Sequence, residues 1–282
     1  MARPIRIQYP GATYHVISRG IERREIFKTD ADYLLFKKIF IEVIKRYNWE
    51  CYAYCLMPNH YHLLIKTLDP NLSIGMCQLN SDYSQKYNIR HSRVGHLLQG
   101  RYKAILVEEK TYKNKLIRYI TLNPVKAGLV SSLGDWHWSS YHELFGKSES
   151  ENCVDKRGAL NQFGNDIAEA KKVYKEYLGE KYSEDESSEN KVLLGSDKFI
   201  KKIKKYFQEQ SGEKGISKKE RYAFRSGLKE IFKDLIKTDK GQRNALICKA
   251  HITHGYSFSE IGRELGMHHS SISKIIIKKS QF

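Results

Sequence analysis

In the first 145 residues, stretches with apolar residues at helical spacing alternate with short apolar runs. The first kind predicts helices and the second predicts strands. Between Asp30 and Tyr47 apolar residues recur every three or four residues, as in an amphipathic helix. Short apolar runs bounded by turn residues predict strands in "TYHVISRG", "ECYAYCLM" and "YHLLIKT". Residues 73–87 and 113–123 are further predicted helices, with a strand at 101–109 between them. The predicted order is β-α-β-β-α-β-α.

This order predicts an α+β fold. The first six elements follow the ferredoxin-like, split βαβ arrangement. Its sheet would be antiparallel, and we expect the helices to pack on one face and to leave the other face available.

A polar, acidic stretch, "GEKYSEDESSEN", marks a change of composition. We predict a linker at residues 179–191, which separates a domain at 1–178 from a second domain at 192–282. The sequence of residues 124–178 predicts only short helices, one of them near 164–178.

The second domain is predicted to be all-helical, with helices at 199–210, 218–237 and 242–254. Near its end, Ser257 and Glu260 have the spacing of a capping box, and Gly266 suits a helix C-terminus. A helix with an apolar stripe then follows. This pattern favours a helix-turn-helix that binds DNA, and a plain helical hairpin is the alternative.

The charge of the chain indicates which class of molecule it binds. The net charge is +17, with +9 in residues 1–150, −3 in 151–191 and +11 in 192–282. Two basic regions favour a nucleic acid as partner, although lysine-rich surfaces are often only well solvated.

The five cysteines form no C-x-x-C motif, which favours reduced thiols. No apolar run is long enough to span a membrane, and the N-terminus shows no signal-peptide core. We therefore expect a cytoplasmic protein.

The stretch "LMPNHYHLLI" carries the first candidate chemistry. His60 and His62 are two residues apart on a predicted strand, so their side chains share one face. They are either buried packing residues or two ligands of a metal site, and the spacing alone does not decide between these.

A second pair lies on the predicted helix at 113–123. Tyr119 and Asn123 are four residues apart and project from the same helix face. Asn123 can offer its amide oxygen to a metal, and Tyr119 can act as a covalent nucleophile on a phosphodiester. Pro124 is expected to end this helix. Since the chain has 19 tyrosines, Tyr119 is by itself one candidate among many.

Residues 1–145 resemble the single-tyrosine HUH transposases, in particular the REP-associated tyrosine transposases. The resemblance is carried by "YPGATYHVISRG", "MPNHYHLLI", "GRYKAILVE", "YITLNPVKAGLV" and "WSSY". It implies a ferredoxin-like fold, metal binding by His60, His62 and Asn123, and Tyr119 as nucleophile. It further implies cleavage of single-stranded DNA near hairpins with a divalent ion, leaving a 5′-phosphotyrosine and a free 3′-OH. With two imidazole ligands, Mn²⁺ would suit the site beside Mg²⁺.

The stretch "GYSFSEIGRELGMHHSSISK" resembles the DNA-binding end of the replication initiator DnaA. His268 stands where that family has Asp. His269, Ser270 and Ser271 match its following residues, and the resemblance implies that they contact duplex DNA.

Other basic residues are weaker candidates for DNA contacts. Arg101 and Lys103 flank an aromatic residue, a combination that grips single strands, and Arg19 belongs to a second basic cluster. Either set is equally consistent with solvated surface.

Two other functions compete with a DNA strand transferase. One is a non-catalytic regulator derived from a transposase, which binds DNA hairpins. The other is an RNA-binding sheet that stacks bases on Tyr52, Tyr54 or Tyr61. A homodimer, in which Tyr119 of one copy acts at the metal site of the other, is left open.

Overall fold

The structure is a computed structural model that divides into two compact units, Ile7–Phe199 and Ile200–Phe282. It describes residues 7–146, 152–179, 193–210, 227–233, 240–252 and 256–279. Apart from Gly179, the predicted linker lies outside these described residues.

The first unit contains one five-stranded sheet. Its strands are β1 (Ala12–Arg19), β2 (Trp49–Met57), β3 (His60–Thr67), β4 (Lys103–Val107) and β5 (Leu193–Leu194). They lie in the order β2-β3-β1-β4-β5, and the first four are antiparallel to their neighbours. The four strands predicted from the sequence are all present.

The fifth strand departs from the predicted antiparallel sheet. β5 pairs parallel to β4, and the Glu108 amide donates to the Leu194 carbonyl at 2.7 Å. The Glu108 carboxylate also accepts from the backbone amide and hydroxyl of Ser196. Residues assigned from the sequence to the second domain therefore extend the sheet of the first. A strand of two residues is too short to show a period.

Seven α-helices lie in the described residues up to 210; the first six belong to the first unit, and most of the seventh belongs to the second. They are α1 (Asp30–Tyr47), α2 (Leu72–Arg90), α3 (Glu109–Lys126), α4 (Ser140–Phe145), α5 (Lys156–Leu160), α6 (Ile167–Gly179) and α7 (Asp197–Gln210).

Helices cover both faces of the sheet. On one face the ring of Phe36 in α1 lies 4.8 Å from that of Tyr61, whose hydroxyl donates to Asn80 in α2. On the other face Lys113 of α3 lies over the ring of Tyr52, 4.9 Å from its centroid. The expectation that this second face stays available is wrong for β2 and β3, because α3 packs over it and its apolar residues, such as Ala53 and Leu64, are fully buried.

Asp32 joins the start of α1 to the end of α2. Its buried carboxylate accepts from the backbone amides of Lys28 and Thr29, and it also contacts Arg90 and His91. Burial opposes the charge, but these donors together hold the pKa of Asp32 below its ordinary value. The contacts anchor the helices behind the sheet.

The second unit consists of helices in its described residues. Four follow α7, namely α8 (Leu228–Ile231), α9 (Lys240–Ile252), α10 (Phe258–Leu265) and α11 (His269–Lys279). Most of the predicted helix at 218–237 lies outside the described residues. The core of the unit is formed by Phe232, Ile247, Cys248, Ala250, Tyr256, Ile261, Ile272 and Ile276.

The capping box and the glycine at a helix end that were predicted near the end of this unit are both present. Ser257 and Glu260 form the capping box at the start of α10. Gly266 ends α10 in the left-handed region at φ 62°, where glycine avoids the strain of a side chain. Within the described part of the chain, no helix is long and apolar enough to cross a membrane.

Candidate active site on the sheet

The strand register places the two histidines beside residues of β1. His60 lies opposite Arg19, and His62 lies opposite Ile17. Opposed residues share a face and alternate residues return to it, so His15 also lies on this side of β1. We call this side of the sheet the histidine face.

His62 is fully buried. Its Nδ1 lies 3.0 Å from Nε2 of His15, whose ring is stacked beside it. Its Nε2 is buried and has no hydrogen-bond partner among the residues that the structure describes. A buried nitrogen without a partner is costly in a packing residue, and it is what a metal ligand presents before the metal binds.

His60 is half-buried, and its Nδ1 lies 2.6 Å from Oδ1 of Asn59. The amide nitrogen of Asn59 donates to the Arg23 carbonyl at 3.1 Å, so its oxygen faces His60. His60 therefore donates from Nδ1, and in the neutral ring Nε2 keeps the lone pair. The rings of His60 and His62 are 5.0 Å apart between centroids.

Tyr119 reaches the same place from α3. Its ring centroid lies 5.8 Å from that of His62 and 5.9 Å from that of His15, with both pairs edge to face. The residue is 8% exposed. Lys126 Nζ lies 5.4 Å from the centroid of the Tyr119 ring. A positively charged group is therefore close to the candidate nucleophile.

Asn123 lies one turn after Tyr119, and its amide nitrogen donates to the Tyr119 carbonyl at 3.2 Å. This bond leaves the amide oxygen as the group that can bind a metal. The expectation that Pro124 ends the helix is wrong, because α3 continues to Lys126. A proline removes only its own amide, and the Ala127 amide still bonds the Asn123 carbonyl. The four-residue spacing is therefore helical.

Burial controls the charge of the histidines. It lowers the pKa of His62 well below its ordinary value, with smaller contributions from His15 and His60. Burial also lowers the pKa of His15 to about 3, and Lys103 adds to this. Both rings are therefore neutral at pH 7, and a neutral imidazole has a nitrogen lone pair that can bind a metal.

The donor set suits a divalent metal that also binds substrate. His60, His62 and Asn123 can supply two imidazole nitrogens and one amide oxygen, which leaves positions for phosphate or water. The buried Nε2 of His62 is the atom that a metal would satisfy. In the described part of the chain, no group of three or more His, Cys, Asp or Glu is placed to hold a metal. The amide oxygen is thus essential to this fit.

The predicted DNA-contacting residues of the first unit lie around this site. Arg19 is half-buried beside His60 on the histidine face. Lys103 is exposed and lies opposite Ile17, so it shares that face. Arg101 is exposed just before β4.

The second unit places its predicted DNA-contacting residues together. His269, Ser270 and Ser271 form the first turn of α11. Nδ1 of His268 lies 2.8 Å from the Ser270 hydroxyl and accepts from the Ser270 amide at 3.4 Å. His268 thus contacts the first turn of α11 through its Nδ1. It stands at the position where the resemblance to the DnaA family would place an Asp.

Sequence reasoning did not identify His15 and Asn59. Each holds the Nδ1 of one site histidine. Asn59 precedes His60 directly and could have been considered for that reason. His15 is 47 residues from His62, and only the pairing of β1 with β3 brings them together.

Part of the first unit is similar to known proteins. Residues 8–123 match the family described as "Transposase IS200 like". This part of the chain is similar to the tyrosine transposases. The matched range ends at Asn123 and contains His15, His60, His62 and Tyr119.

A relative in Haemophilus influenzae, named as a REP-associated tyrosine transposase, is 27% identical over 118 residues. The match covers 38% of this chain and 67% of the relative.

Two solved structures are also similar. The REP-associated tyrosine transposase bound to a REP hairpin has a TM-score of 0.45 and 19% identity, covering 55% of this chain and 94% of that one. A transposase structure from Deinococcus radiodurans R1 has a TM-score of 0.31 and 20% identity, covering 43% and 95%.

Proposed function

We propose that the chain is a single-tyrosine HUH transposase that nicks single-stranded DNA at hairpin-containing sites and transfers the strand through a 5′-phosphotyrosine on Tyr119. The observation that carries the proposal is the placement of Tyr119. Its ring lies 5.8 Å from His62, whose buried Nε2 lacks a partner within the described residues. The match of residues 8–123 to a transposase family supports the same activity.

The proposed step is a transesterification. The Tyr119 oxygen bonds to the scissile phosphorus while the bond from phosphorus to the 3′ oxygen breaks. The phenol loses its proton, and the leaving oxygen gains one to become a 3′-OH. One phosphodiester replaces another, so a later attack by a 3′-OH on the phosphotyrosine can rejoin the strand and release Tyr119.

His60, His62 and Asn123 would hold Mg²⁺ or Mn²⁺ beside Tyr119. A bound ion would polarise the phosphoryl oxygen and orient the scissile bond. β3 and α3 hold His62 and Tyr119 beside each other. Arg19, Lys103 and Arg101 would contact the phosphates of the incoming strand.

The fold supports the proposal at two further points. The strand order β2-β3-β1-β4 supports a ferredoxin-like assignment for the first unit. For the second unit, we infer a helix-turn-helix from the capped α10, the Gly266 turn and α11. Its partner would be duplex DNA, contacted through His269, Ser270 and Ser271.

The RNA-binding alternative loses its physical basis. Tyr52, Tyr54 and Tyr61 are at most 1% exposed, so none can stack on a base. A non-catalytic regulator that binds DNA hairpins remains the alternative function. An experiment must distinguish it from the proposed enzyme.

The decisive experiment uses a labelled single-stranded hairpin oligonucleotide with Mg²⁺ or Mn²⁺, followed by a denaturing gel. We expect a covalent protein–DNA band that disappears with EDTA and in Tyr119→Phe. Tyr112→Phe is the matched control, because it removes the same hydroxyl from the same helix away from the histidines. Binding of varied hairpins without any adduct would contradict the enzyme and favour the regulator.

The same assay tests whether the tyrosine acts in its own chain. Since Tyr119 lies against His62 of the same chain, we expect a mixture of Tyr119→Phe and His62→Gln proteins to form no adduct. Restored adduct in the mixture would show that the site is shared between copies of a homodimer.

A further inference from the structure

His15 is a buried histidine to which the proposed reaction assigns no role. It is 2% exposed, and its ring is stacked beside His62 at 5.2 Å between centroids. The two rings are joined by the contact of His15 Nε2 with His62 Nδ1 at 3.0 Å. Because one nitrogen must donate and the other accept, this contact determines where His62 carries its proton.

Only one arrangement is compatible with metal binding. If His15 donated, His62 would carry its proton on Nε2, which is buried and meets no acceptor in the described part of the chain. That arrangement would leave a donor unsatisfied and block the lone pair. If His62 donates from Nδ1, its Nε2 keeps the lone pair and can bind a metal.

We propose that His15 is a positioning residue for the metal site: it accepts the Nδ1 proton of His62 and so sets the tautomer and ring orientation in which His62 Nε2 binds the ion. The inference rests on the proposed function, since it concerns the same metal. His15 is not itself the third ligand through Nε2, because that nitrogen faces His62.

Two further observations agree with this role. His60 has the same arrangement, with Asn59 accepting from its Nδ1. Each proposed imidazole ligand therefore has its own acceptor at the nitrogen that does not bind metal. In addition, β1 is paired with both β3 and β4 at His15, which holds the backbone of the accepting residue rigidly.

The first test is a Mn²⁺ titration of the full chain, followed by electron paramagnetic resonance of the free ion. His15→Phe keeps a ring but removes the acceptor, and we expect Mn²⁺ affinity to fall about tenfold or more. His15→Gln is the matched variant, because its Oε1 can reach the position of Nε2. We expect its affinity within about threefold of the unchanged protein, since the acceptor is retained.

The second test measures the proton directly in the metal-free protein. Long-range ¹H–¹⁵N spectra of the imidazoles should show His62 protonated on Nδ1 in the unchanged protein and in His15→Gln. In His15→Phe we expect a shift towards protonation on Nε2. A role for His15 in packing alone would not move this signal. The unchanged protein also supplies a result if His15→Phe does not fold.

The outcomes separate this inference from the proposed function. If the unchanged protein bound no Mn²⁺, the metal site itself would be wrong, and the role of His15 with it. If it bound Mn²⁺ but His15→Phe bound equally well, only the inference would be overturned. Protonation of His62 on Nε2 in the unchanged protein would overturn it as well.

Discussion

At the scale of single residues, the site depends on histidines that stay neutral. His15 and His62 are buried together, and burial lowers the pKa of each. A neutral His62 can bind metal without first losing a proton. The same burial couples the site to the stability of the fold, because the unfolded chain exposes both rings to water.

We predict that the free energy of unfolding decreases as the pH falls from 6.5 towards 5. In this window the unfolded histidines, with pKa values near 6.5, bind protons that the folded ones do not. Each contributes up to about 1.4 kcal/mol per pH unit. Urea unfolding at several pH values measures this slope.

Three variants show which histidines cause the dependence of the free energy of unfolding on pH. His15→Gln and His62→Gln should each make the slope shallower. His96→Gln should leave it unchanged, because His96 is exposed in the folded chain. An equal slope in all three variants would show that other groups control the acid sensitivity.

At the scale of elements, the candidate active site lies between one helix and one pair of strands. β1 and β3 set the histidine face, and α3 brings Tyr119 against His62, with Asn123 one turn further along the helix. Behind the sheet, α1 and α2 are joined at Asp32. The stability of this support decides whether the strands keep their register under the site.

Asp32→Ala should destabilise the first unit by about 2 kcal/mol, measured by urea unfolding. The variant removes an N-terminal capping group and leaves backbone amides and His91 without their acceptor. Glu42→Ala is the control, because Glu42 is an exposed carboxylate on the same helix. Equal effects of the two variants would contradict the anchoring role of Asp32.

At the scale of the whole molecule, a net charge of +17 and two compact units suit a protein with two DNA-binding surfaces. The first unit extends past the acidic stretch to Phe199, because β5 belongs to its sheet. A truncation that separates the units must therefore keep residues 193–199.

We predict that a chain ending at Gln210 still forms the hairpin adduct but binds duplex DNA about tenfold more weakly, or worse. A chain ending at Asn190 should be roughly 2–4 kcal/mol less stable, because it loses Leu193 and Leu194, which are buried beside β4. Adduct gels, duplex titrations and urea unfolding measure these effects. Unchanged duplex affinity in the longer truncation would contradict the helix-turn-helix.

The sequence by itself determined the local structure and the residue pairs that local spacing brings together. Short apolar runs bounded by turn residues, with alternation at 101–109, predicted β1 to β4, and a period near 3.6 predicted α1. The two-residue and four-residue spacings placed His60 with His62, and Tyr119 with Asn123. These predictions succeed because each period reflects how one element presents its side chains.

Only the tertiary structure decided which elements meet. It joined His15 to His62 across 47 residues, added β5 to the sheet and buried Tyr52, Tyr54 and Tyr61. Periodicity reports which side of an element is apolar, but it does not report the partner that covers that side. Strand register and helix packing supply this partner, so the acceptor that sets the proton on His62 became visible only in the folded chain.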